Sequence, residues 1–515
     1  MPGGNLQMSI SKVQQEIIDT PGNMVVRASA GTGKTHTMVA KIAEDLKRNH
    51  THKIIAAITF TVKAAKEIKD RLKSEVKDNF IGTNNSFAIE EVIKPFAKDV
   101  FGSGFKENIS TDYSIRGEDF DECLSYLKNQ QTICSYTDNK KNFVFELALE
   151  IIKNSKACRL FLKAKYFKIY IDEYQDCDYA MHQFFMYLCK QLDIHLFVVG
   201  DEKQSIYIWR GAYPQAFRSI LDMPNFSKNK LRENYRSCRQ IQNYSNLLNE
   251  DTQSLYSPEL DNSAIILLKT TSKKWANQVY SLLNNEKSCA LLRFKNDDAK
   301  TGAKELEQAG THFTYVPKTP ISEITTDVAW LYNAIAQYFI LKKYSVYDLM
   351  NEIPEESIGD RLVTNYLTRM LKSIEYALKN ENDEDVIREV IEIAKHFGYT
   401  TTSEKHIRDM IKTIREEEYH AAFYMDKLQN ISITFHSSKG LEFDQVIIFA
   451  GDYGLEKEDD IYNHYVAVTR AKSKLIIVNI TDYNAWRSDR FRNNLTAIFQ
   501  RSGVLPQDLM TVIEM

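Results

Sequence analysis

The sequence of 515 residues is poor in the residues that mark specialised classes of protein. Its 10 prolines and 19 glycines are too few for a collagen-like or low-complexity chain. The seven cysteines form no Cys-x-x-Cys pair, which argues against a zinc ribbon, and they are too sparse for a disulfide scaffold. Long apolar runs and an apolar N-terminal leader are also missing, so we expect a cytoplasmic protein without a membrane span.

The sequence also lacks a strong excess of charge of either sign. A net charge of −3 argues against a protein that coats nucleic acid through a globally basic surface. A groove that is only locally basic could still bind DNA. Hydrophobic residues make up 43% of the chain, which is enough for more than one core. The length suggests roughly three or four domains.

Short apolar, β-branched runs recur along the chain, and a longer helical pattern follows each of them. This alternation is typical of α/β proteins with parallel sheets. Ligands in such sheets bind at the carboxyl ends of the strands, where this sequence places polar and glycine-rich clusters. The predicted strands are Met24–Arg27, Lys53–Ile58, Lys168–Ile171, His195–Val199, Ala264–Leu268, Cys289–Leu292, Val446–Ala450 and Lys474–Ile480.

Two stretches do not show the α/β alternation. They run from about Ile89 to Leu162 and from about Lys343 to Lys427. Both have a helical pattern with runs of charged residues, which are typical of solvated helix faces. We therefore predict two helical insertions, one in each of two α/β cores.

A phosphate-binding loop is predicted between the first strand and the next helix, at residues 28–35 (ASAGTGKT). Gly31 and Gly33 allow a tight turn whose N–H groups face phosphate, and the helix N-terminus adds partial positive charge. Lys34 would reach the β- and γ-phosphates, and the Thr35 hydroxyl would bind Mg²⁺. The alternative is an unrelated glycine-rich turn, because Ala28 stands where the strict motif has glycine.

Two adjacent carboxylates, Asp172 and Glu173, follow the predicted strand in YFKIYIDEYQD. Side chains alternate along a strand, so the two carboxylates point in different directions. One could hold Mg²⁺ while the other activates the attacking water. Acidic pairs after strands are common, so this pair alone is weak evidence. A phosphate loop needs a metal-binding carboxylate on a neighbouring strand, and the pair could supply it.

Further motifs follow in order: Gln14 in SKVQQEII, then residues 59–67 (TFTVKAAKE), 198–212 (VVGDEKQSIYIWRGA), 231–237 (LRENYRS), 434–443 (TFHSSKGLEF) and 465–471 (YVAVTRA). Together with the loop and the carboxylates, this ordered set resembles the motifs of superfamily 1 helicases of the UvrD/Rep/PcrA type. The resemblance implies two RecA-like P-loop cores, 1A and 2A, with ATP and Mg²⁺ bound between them. Short helical insertions, 1B and 2B, interrupt the cores. The implied boundaries are 1–87 and 167–228 for 1A, 88–166 for 1B, 229–342 and 428–515 for 2A, and 343–427 for 2B.

The resemblance also implies roles at the nucleotide. Gln14 would read the adenine edge and Tyr235 would stack on the base, while Glu442 would contact the sugar or couple the cores. Asp172 would hold the metal, Glu173 would be the catalytic base and Gln204 would sense the γ-phosphate. Arg236 and Arg470 would act as arginine fingers supplied by the second core. The remaining nucleotide contacts would come from Gly31, Thr32, Gly33, Lys34, Thr35 and His36.

DNA contacts follow from the same motifs. Phe60, Tyr207 and Trp209 would stack on single-stranded bases, with core packing as the alternative for Phe60. The residues expected near the DNA backbone are Lys63, Arg210 and His436.

The sequence departs from the family at several positions. Glu202-Lys203 replaces the usual residues before Gln204, and His36 stands where many relatives have arginine. The insertions are also short for this family. These differences put strong DNA gripping and independent unwinding in doubt more than ATP hydrolysis.

A narrower resemblance, over most of the chain, is to the UvrD-like B subunits of the Gabija anti-phage defence system. It rests on NFIGTNNSF, residues 165–188 (KYFKIYIDEYQDCDYAMHQFFMYL) and IQNYSNLLNEDTQSL. It implies a nuclease partner, the A subunit, and activation by DNA ends. Two alternatives remain open: a free-standing 3′–5′ repair helicase, and a regulatory subunit whose nucleotide site gates a partner.

Overall fold

The computed structural model describes residues 10–72, 78–105, 109–206, 211–259, 261–322, 324, 326, 328–353, 361–399 and 402–514. The chain divides into two compact units. Unit 1 comprises Met1–Ile109 and Ser114–Ser237, and unit 2 comprises Ser110–Tyr113 and Cys238–Met515. None of the described helices combines the length and apolar character that a bilayer crossing requires.

Strands and helices alternate along the first half of the chain. The strands are β1 (Met24–Ala28), β2 (Ile54–Thr59), β3 (Phe80–Thr83), β4 (Ser110–Gly117), β5 (Thr132–Tyr136), β6 (Tyr166–Ile171), β7 (His195–Gly200) and β8 (Ser227–Leu231). The helices are α1 (Lys12–Asp19), α2 (Lys34–Arg48), α3 (Val62–Leu72), α4 (Asn84–Ala88), α5 (Lys94–Phe101), α6 (Phe120–Gln130), α7 (Phe143–Asn154), α8 (Lys156–Lys165), α9 (Tyr179–Leu192) and α10 (Pro214–Leu221).

A parallel sheet forms the centre of unit 1, in the order β3-β2-β6-β7-β1-β8. Four of its strands, β1, β2, β6 and β7, lie where the sequence predicted them. The helices that follow strands bury an apolar stripe against it; α2, for example, buries Met38 and Ile42, four residues apart. The predicted fold class, α/β with parallel sheets, is confirmed.

The edge strand β8 was not predicted, because its sequence, SKNKL, is mostly polar. It pairs with β1 from Met24↔Ser227 to Ala28↔Leu231, and the compact unit continues to Ser237. The sequence had placed the end of the first core at residue 228. In the structure, the residues between 229 and 237 belong to unit 1.

The prediction of a helical insertion is wrong for part of the first stretch. Strands β4 and β5 pair there as a separate two-stranded sheet, on either side of α6. Ile133 and Cys134, adjacent on β5, point to opposite faces and are both fully buried. The strand therefore lacks the alternation of buried and exposed residues that marks a half-buried strand in a sequence.

The second half of the chain builds unit 2. Its strands are β9 (Ile265–Thr270), β10 (Cys289–Arg293), β11 (Thr314–Tyr315), β12 (Asn430–Thr434), β13 (Phe443–Phe449), β14 (Ala471–Ile480) and β15 (Thr511–Glu514). The helices are α11 (Arg239–Leu247), α12 (Glu250–Gln253), α13 (Trp275–Leu282), α14 (Asn296–Gln308), α15 (Ala329–Ile340), α16 (Val346–Met350), α17 (Arg361–Lys379), α18 (Asp383–His396), α19 (Glu404–Arg415), α20 (Glu458–Val468) and α21 (Ala485–Gln500).

Unit 2 contains a second parallel sheet, in the order β11-β12-β10-β13-β14-β9-β15. The four predicted strands in this half are confirmed as β9, β10, β13 and β14. The second helical stretch is also helical in the structure. Helix α15 shares one apolar core with α17, α18 and α19, so it packs with the insertion rather than with the sheet.

A buried ionic cluster joins the first helices of unit 1 to the central strand β6. The Asp45 carboxylate accepts hydrogen bonds from Lys41 Nζ at 2.6 Å, Lys168 Nζ at 2.9 Å and the Tyr170 hydroxyl at 2.5 Å. Lys41 also donates to the Ile18 main-chain oxygen at the end of α1. Burial lowers the pKa of Lys168 to about 8, and the charge of Asp45 opposes this shift.

Replacing Asp45 should destabilise unit 1, because two buried ammonium groups would lose their counter-charge. We expect Asp45→Asn to lower the free energy of unfolding by about 3–5 kcal/mol in urea denaturation. The matched control is Asp19→Asn, since Asp19 pairs with Arg48 at the surface. That change should cost much less stability, because the pair is exposed to solvent. Equal losses for the two variants would contradict the structural role given to Asp45.

Candidate functional site

The carboxyl ends of β6, β7 and β1 lie side by side in the unit 1 sheet, because these strands are neighbours and parallel. The predicted phosphate loop follows β1, the carboxylates Asp172 and Glu173 follow β6, and Asp201 to Gln204 follow β7. Three motifs that are distant in sequence therefore meet at one edge.

The phosphate loop has the backbone conformation that its glycines permit. Gly31 and Gly33 have φ angles of 74° and 77°, in the left-handed region that disfavours other residues. Helix α2 begins directly after them at Lys34, and the described residues give its N-terminus no side-chain cap. The N–H groups and partial positive charge of this helix end favour an anion.

The segment Asn234–Arg236 packs directly on the loop. A Cβ atom at Gly31 would lie 2.6 Å from Asn234 Oδ1 and 2.8 Å from Arg236 Cβ, so glycine is required by contact as well as by conformation. The Tyr235 N–H donates to the Gly31 oxygen at 2.9 Å. The sequence assigned Arg236 to the second core, whereas here it belongs to the same unit as the loop.

The predicted adenine-binding residues lie at the same end of the loop. Gln14 is buried in the first turn of α1, where its side-chain oxygen accepts from the Ser11 N–H at 2.9 Å. A Cβ at Gly33 would approach Gln14 Nε2 to 3.2 Å. The Tyr235 ring is exposed, and its hydroxyl donates to Glu233. Within the described residues, His36 Nε2 is buried without a hydrogen-bond partner.

The residues predicted to hold Mg²⁺ and to activate the attacking water contact the phosphate loop. The Thr35 hydroxyl donates to Asp172 Oδ2 at 3.2 Å, and Lys34 Nζ lies 2.9 Å from Glu173 Oε1. Burial, and next the charge of Glu173, raise the pKa of Asp172, while Lys34 and hydrogen bonds oppose the rise. A hydroxyl beside a carboxylate is an oxygen donor set that suits Mg²⁺, so the residues fit the predicted ion.

Glu173 has an unusual backbone conformation, with φ 53° and ψ 39°. A non-glycine residue in this left-handed region is strained, and such strain is concentrated at functional sites. The conformation turns the chain sharply at the end of β6. Both carboxylates lie beyond the end of β6, so strand alternation does not set their directions; Asp172 accepts from Thr35, and Glu173 pairs with Lys34.

Gln175, which is not among the predicted site residues, links the carboxylates to the segment after β7. Its fully buried side chain donates to Glu173 Oε2 at 2.5 Å and accepts from the Asp201 N–H at 3.0 Å. Asp201 Oδ2 in turn accepts from Gln204 Nε2 at 2.8 Å. Gln204, the predicted γ-phosphate sensor, is thus linked by hydrogen bonds to Glu173, the predicted base, through Gln175 and Asp201.

The two residues that depart from the family pattern have defined partners. Glu202 pairs with Arg27 at the end of β1 at 2.7 Å. Lys203 is buried, with its Nζ 3.0 Å from Asp201 Oδ1 and 3.1 Å from Ser29 Oγ in the phosphate loop. The substitutions therefore tie the segment after β7 to the phosphate loop instead of removing it from the site.

Arg470 and Glu442 lie in unit 2. The Arg470 side chain is buried and donates to the oxygens of Val466 and Leu441 and to the Thr469 hydroxyl. Glu442 is exposed and pairs with Lys472 at 2.7 Å. The roles given to these two residues stay predictions.

Unit 1 holds part of the predicted DNA set. Phe60, partly buried, and Lys63, exposed, follow the carboxyl end of β2. Tyr207, Trp209 and Arg210 lie outside the described residues.

Unit 2 holds an aromatic cluster that the sequence only partly revealed. His436 packs on Phe435, and Phe294, at the end of β10, lies with its ring centroid 6.0 Å from that of His436. Phe294 is 43% exposed, although it belongs to no quoted motif. The only indication of its role in the sequence was its position at the end of a strand, between Arg293 and Lys295.

A second aromatic group follows β14 at the same edge of the unit 2 sheet. Trp486 is 56% exposed, and the guanidinium groups of Arg487 and Arg490 each lie 5.3 Å from its ring centroid. Tyr483, three residues before it, is also exposed. This group was not predicted from the motifs because it lies after the last of them. The signal in the sequence was a set of aromatic residues interleaved with arginines.

Comparison with known proteins agrees with this geometry. An AAA domain family profile matches residues 14–210, and a UvrD-like helicase C-terminal domain profile matches residues 431–478. The Gabija protein GajB of Bacillus cereus (strain VD045) is 41% identical over 483 residues, covering 90% of this chain and 94% of GajB. The chain belongs to the UvrD-like helicases. The predicted family, its narrower resemblance to Gabija and the enzyme class, an ATP hydrolase of the DNA helicase type, are confirmed.

Other UvrD-like helicases match a smaller part. The helicase Rep of Buchnera aphidicola (subsp. Acyrthosiphon pisum) is 28% identical, and PcrA of Bacillus subtilis (strain 168) is 29% identical. The matches cover 47% and 46% of this chain, and 45% and 39% of the two helicases. The chain thus spans less than half of these relatives.

The hydrogen bonds of Gln175 yield a testable prediction for this UvrD-like site. Gln175→Ala should lower kcat for ATP hydrolysis about 10- to 100-fold with a smaller change in KM, because hydrogen bonds to a charged group are worth about 1.5–3 kcal/mol. Gln183→Ala on α9 is the control and should be neutral. A normal kcat in the Gln175 variant would show that this side chain does not position Glu173.

Proposed function

We propose that this chain binds Mg²⁺-ATP on the unit 1 phosphate loop and hydrolyses it. The observation that carries the proposal is a pair of contacts between adjacent residues of the loop and adjacent carboxylates: Lys34 with Glu173, and Thr35 with Asp172. Such a set supplies a phosphate cation, a metal site and a base together. None of these residues alone would indicate a site for ATP hydrolysis.

The residues divide the work of hydrolysis. The loop N–H groups and Lys34 bind the β- and γ-phosphates, which draws the ammonium of Lys34 away from Glu173 and towards the nucleotide. Glu173 is then available to orient water and accept its proton. Thr35 and Asp172 hold Mg²⁺, which neutralises charge on the phosphates when bound. Gln175 keeps Glu173 oriented, and through Asp201 it connects Glu173 to Gln204.

Glu173→Gln tests this assignment. The amide preserves size but cannot accept the proton, so kcat should fall by at least about 100-fold while ATP still binds. Steady-state hydrolysis and a fluorescent-nucleotide titration measure the two quantities. Glu44→Gln, which removes a carboxylate on the surface of α2, should change neither. Normal turnover by the Glu173 variant would show that Glu173 is not the catalytic base.

The same chain binds single-stranded DNA along the carboxyl edge of its sheets. In unit 2 the support is the exposed Phe294 beside His436 and the exposed Trp486 flanked by two arginines. Bases stack on aromatic faces regardless of sequence, and the cations offset backbone phosphates. Phe60 and Lys63 serve the same purpose in unit 1. Binding of this type weakens steeply with added salt.

Truncating Trp486 should weaken DNA binding without affecting the phosphate loop. We expect Trp486→Ala to cost about 1–3 kcal/mol, roughly a 5- to 150-fold higher Kd for an oligothymidine in fluorescence anisotropy. Tyr280→Ala is the control, since Tyr280 lies near the end of α13, at the opposite edge of the sheet. An unchanged Kd for the Trp486 variant would remove this aromatic group from the DNA path.

The long match to GajB supports a proposal about the biological setting. We assign the chain to a Gabija-type anti-phage defence complex, as a DNA-end-stimulated ATPase that works with a nuclease subunit. The complete hydrolytic set argues against a regulatory subunit that merely binds nucleotide. A free-standing 3′–5′ repair helicase is the remaining alternative. Purification together with the nuclease subunit would distinguish the defence role from a free-standing helicase. ATP hydrolysis that rises with DNA ends would distinguish it from a regulatory subunit. The cytoplasmic location stays a prediction.

A further inference from the structure

The aromatic cluster around Phe294 stands on the ends of three neighbouring strands of unit 2. Phe294 follows β10, Phe435 and His436 follow β12, and Asp452 lies three residues after β13. The sheet order β12-β10-β13 makes β10 the middle strand, so these three segments lie side by side. The ring centroids of Phe294 and Phe435 are 5.3 Å apart. The position of Phe294 therefore depends on how the end of β10 is held between its two neighbours.

Asp452 holds the end of β10 from one side. Its Oδ2 atom accepts hydrogen bonds from Arg293 Nε at 2.7 Å and from the Phe294 N–H at 3.2 Å, and its Oδ1 atom accepts from Arg293 Nη2 at 3.2 Å. Both side chains of the ion pair are largely buried, with 11% of Asp452 and 14% of Arg293 exposed. A guanidinium that binds a carboxylate through two hydrogen bonds has a strictly defined geometry. One carboxylate thus fixes the Arg293 side chain and the main chain of the exposed Phe294.

Arg293 connects the same end of β10 to the strand on its other side. The Arg293 main-chain oxygen accepts from the Phe435 N–H at 3.0 Å. Its guanidinium carbon Cζ lies 3.8 Å from the centroid of the Phe449 ring, at the end of β13. Stacking on an aromatic face restricts the guanidinium further, because the planar group can then turn little. The ion pair therefore links the main chains that carry Phe294 and Phe435.

The charge of Asp452 has the wrong sign for a contact with DNA. A carboxylate repels phosphates, and Arg293, which neutralises it, is too buried to be a strong phosphate contact. The pair is suited to a different task, which is to hold an aromatic ring in one orientation. A ring that is already ordered loses less conformational entropy when a base stacks on it, so its order contributes to affinity.

We propose that Asp452, acting through its hydrogen bonds to Arg293 and Phe294, is a positioning residue for the stacking of single-stranded DNA bases on Phe294. This inference rests on the proposed DNA binding. It deepens that proposal by assigning a role to a carboxylate that lies behind the stacking surface and that no quoted motif contains. The competing interpretation is that the ion pair stabilises unit 2 and has no influence on the orientation of the ring.

The test measures the affinity of the purified full chain for a fluorescein-labelled oligothymidine by anisotropy, at several salt concentrations. Asp452→Asn preserves the size of the side chain but places an amide N–H group against the guanidinium, which breaks the paired hydrogen bonds. We expect Kd to rise about 3- to 30-fold, which is part of the loss expected for a whole stacking contact. Electrostatics alone predicts the opposite sign, because the variant removes a negative charge beside a phosphate-binding edge.

Asp298→Asn is the matched control. The Asp298 carboxylate lies 3.9 Å from the same guanidinium, but it is 44% exposed on α14. Its removal changes the local charge equally and should leave Kd unchanged or lower it. Arg293→Lys retains the cation but cannot form both hydrogen bonds with one planar group, so it should raise Kd in the same way. This second variant keeps the test available if thermal unfolding shows that Asp452→Asn does not fold.

A double-mutant cycle separates positioning from a general effect on the structure. Phe294→Ala should itself raise Kd, and in that background Asp452→Asn should have little further effect, because the ring on which it acts is gone. The dependence of Kd on salt should be the same with and without Asp452→Asn, since no phosphate contact is lost. Effects of the two changes that simply multiply would overturn the positioning role.

The remaining outcomes distinguish this inference from the proposed function. If the unaltered chain does not bind the oligothymidine, the proposed DNA binding is wrong, and the role of Asp452 falls with it. If Phe294→Ala raises Kd while Asp452→Asn leaves it unchanged or lowers it, DNA binding stands and the positioning role is wrong. If the chain binds but neither variant changes Kd, Phe294 lies outside the DNA path and the inference is again overturned.

Discussion

Parallel pairing of β6, β7 and β1 is the constraint on which the nucleotide site depends. Because the three strands run in the same direction, with Ile171 opposite Val198 and Val26 opposite Val199, the chain leaves all of them at one edge. A phosphate loop, a pair of carboxylates and a sensor glutamine are thereby collected from three distant parts of the sequence. Reversing any one strand would remove its motif from the site.

Charge balance is the second requirement at that edge. Asp172 and Glu173 are adjacent carboxylates, and burial and mutual repulsion raise the pKa of Asp172. Lys34 pairs with Glu173 at 2.9 Å and offsets part of this repulsion. The same ammonium is the group that would bind phosphate, so nucleotide binding and the freedom of the catalytic base are linked through one side chain. Lys203, a departure from the family, adds a further buried cation that holds the segment after β7 against the loop.

Local sequence patterns predicted the elements that can be recognised from their own residues alone, without knowledge of their neighbours in the fold. Apolar, β-branched runs identified eight central strands, and the phosphate loop could be read from its glycines and Lys34. Polar edge strands such as β8 escaped because pairing with β1, not their own pattern, makes them strands. The same reason explains why Arg236 lies in unit 1 and why Gln175 was missed: their places depend on tertiary contacts. Phe294 and Trp486 were missed because exposure cannot be read from a single aromatic residue.

The central claim is that this chain is a DNA-coupled ATPase whose chemistry resides at the unit 1 phosphate loop. Its most direct test is steady-state ATP hydrolysis by the purified chain, measured with Mg²⁺ across a titration of single-stranded DNA and again with duplex ends. The account predicts a rate that rises with DNA and saturates. A rate that is zero under all these conditions, or that is indifferent to DNA, would contradict it.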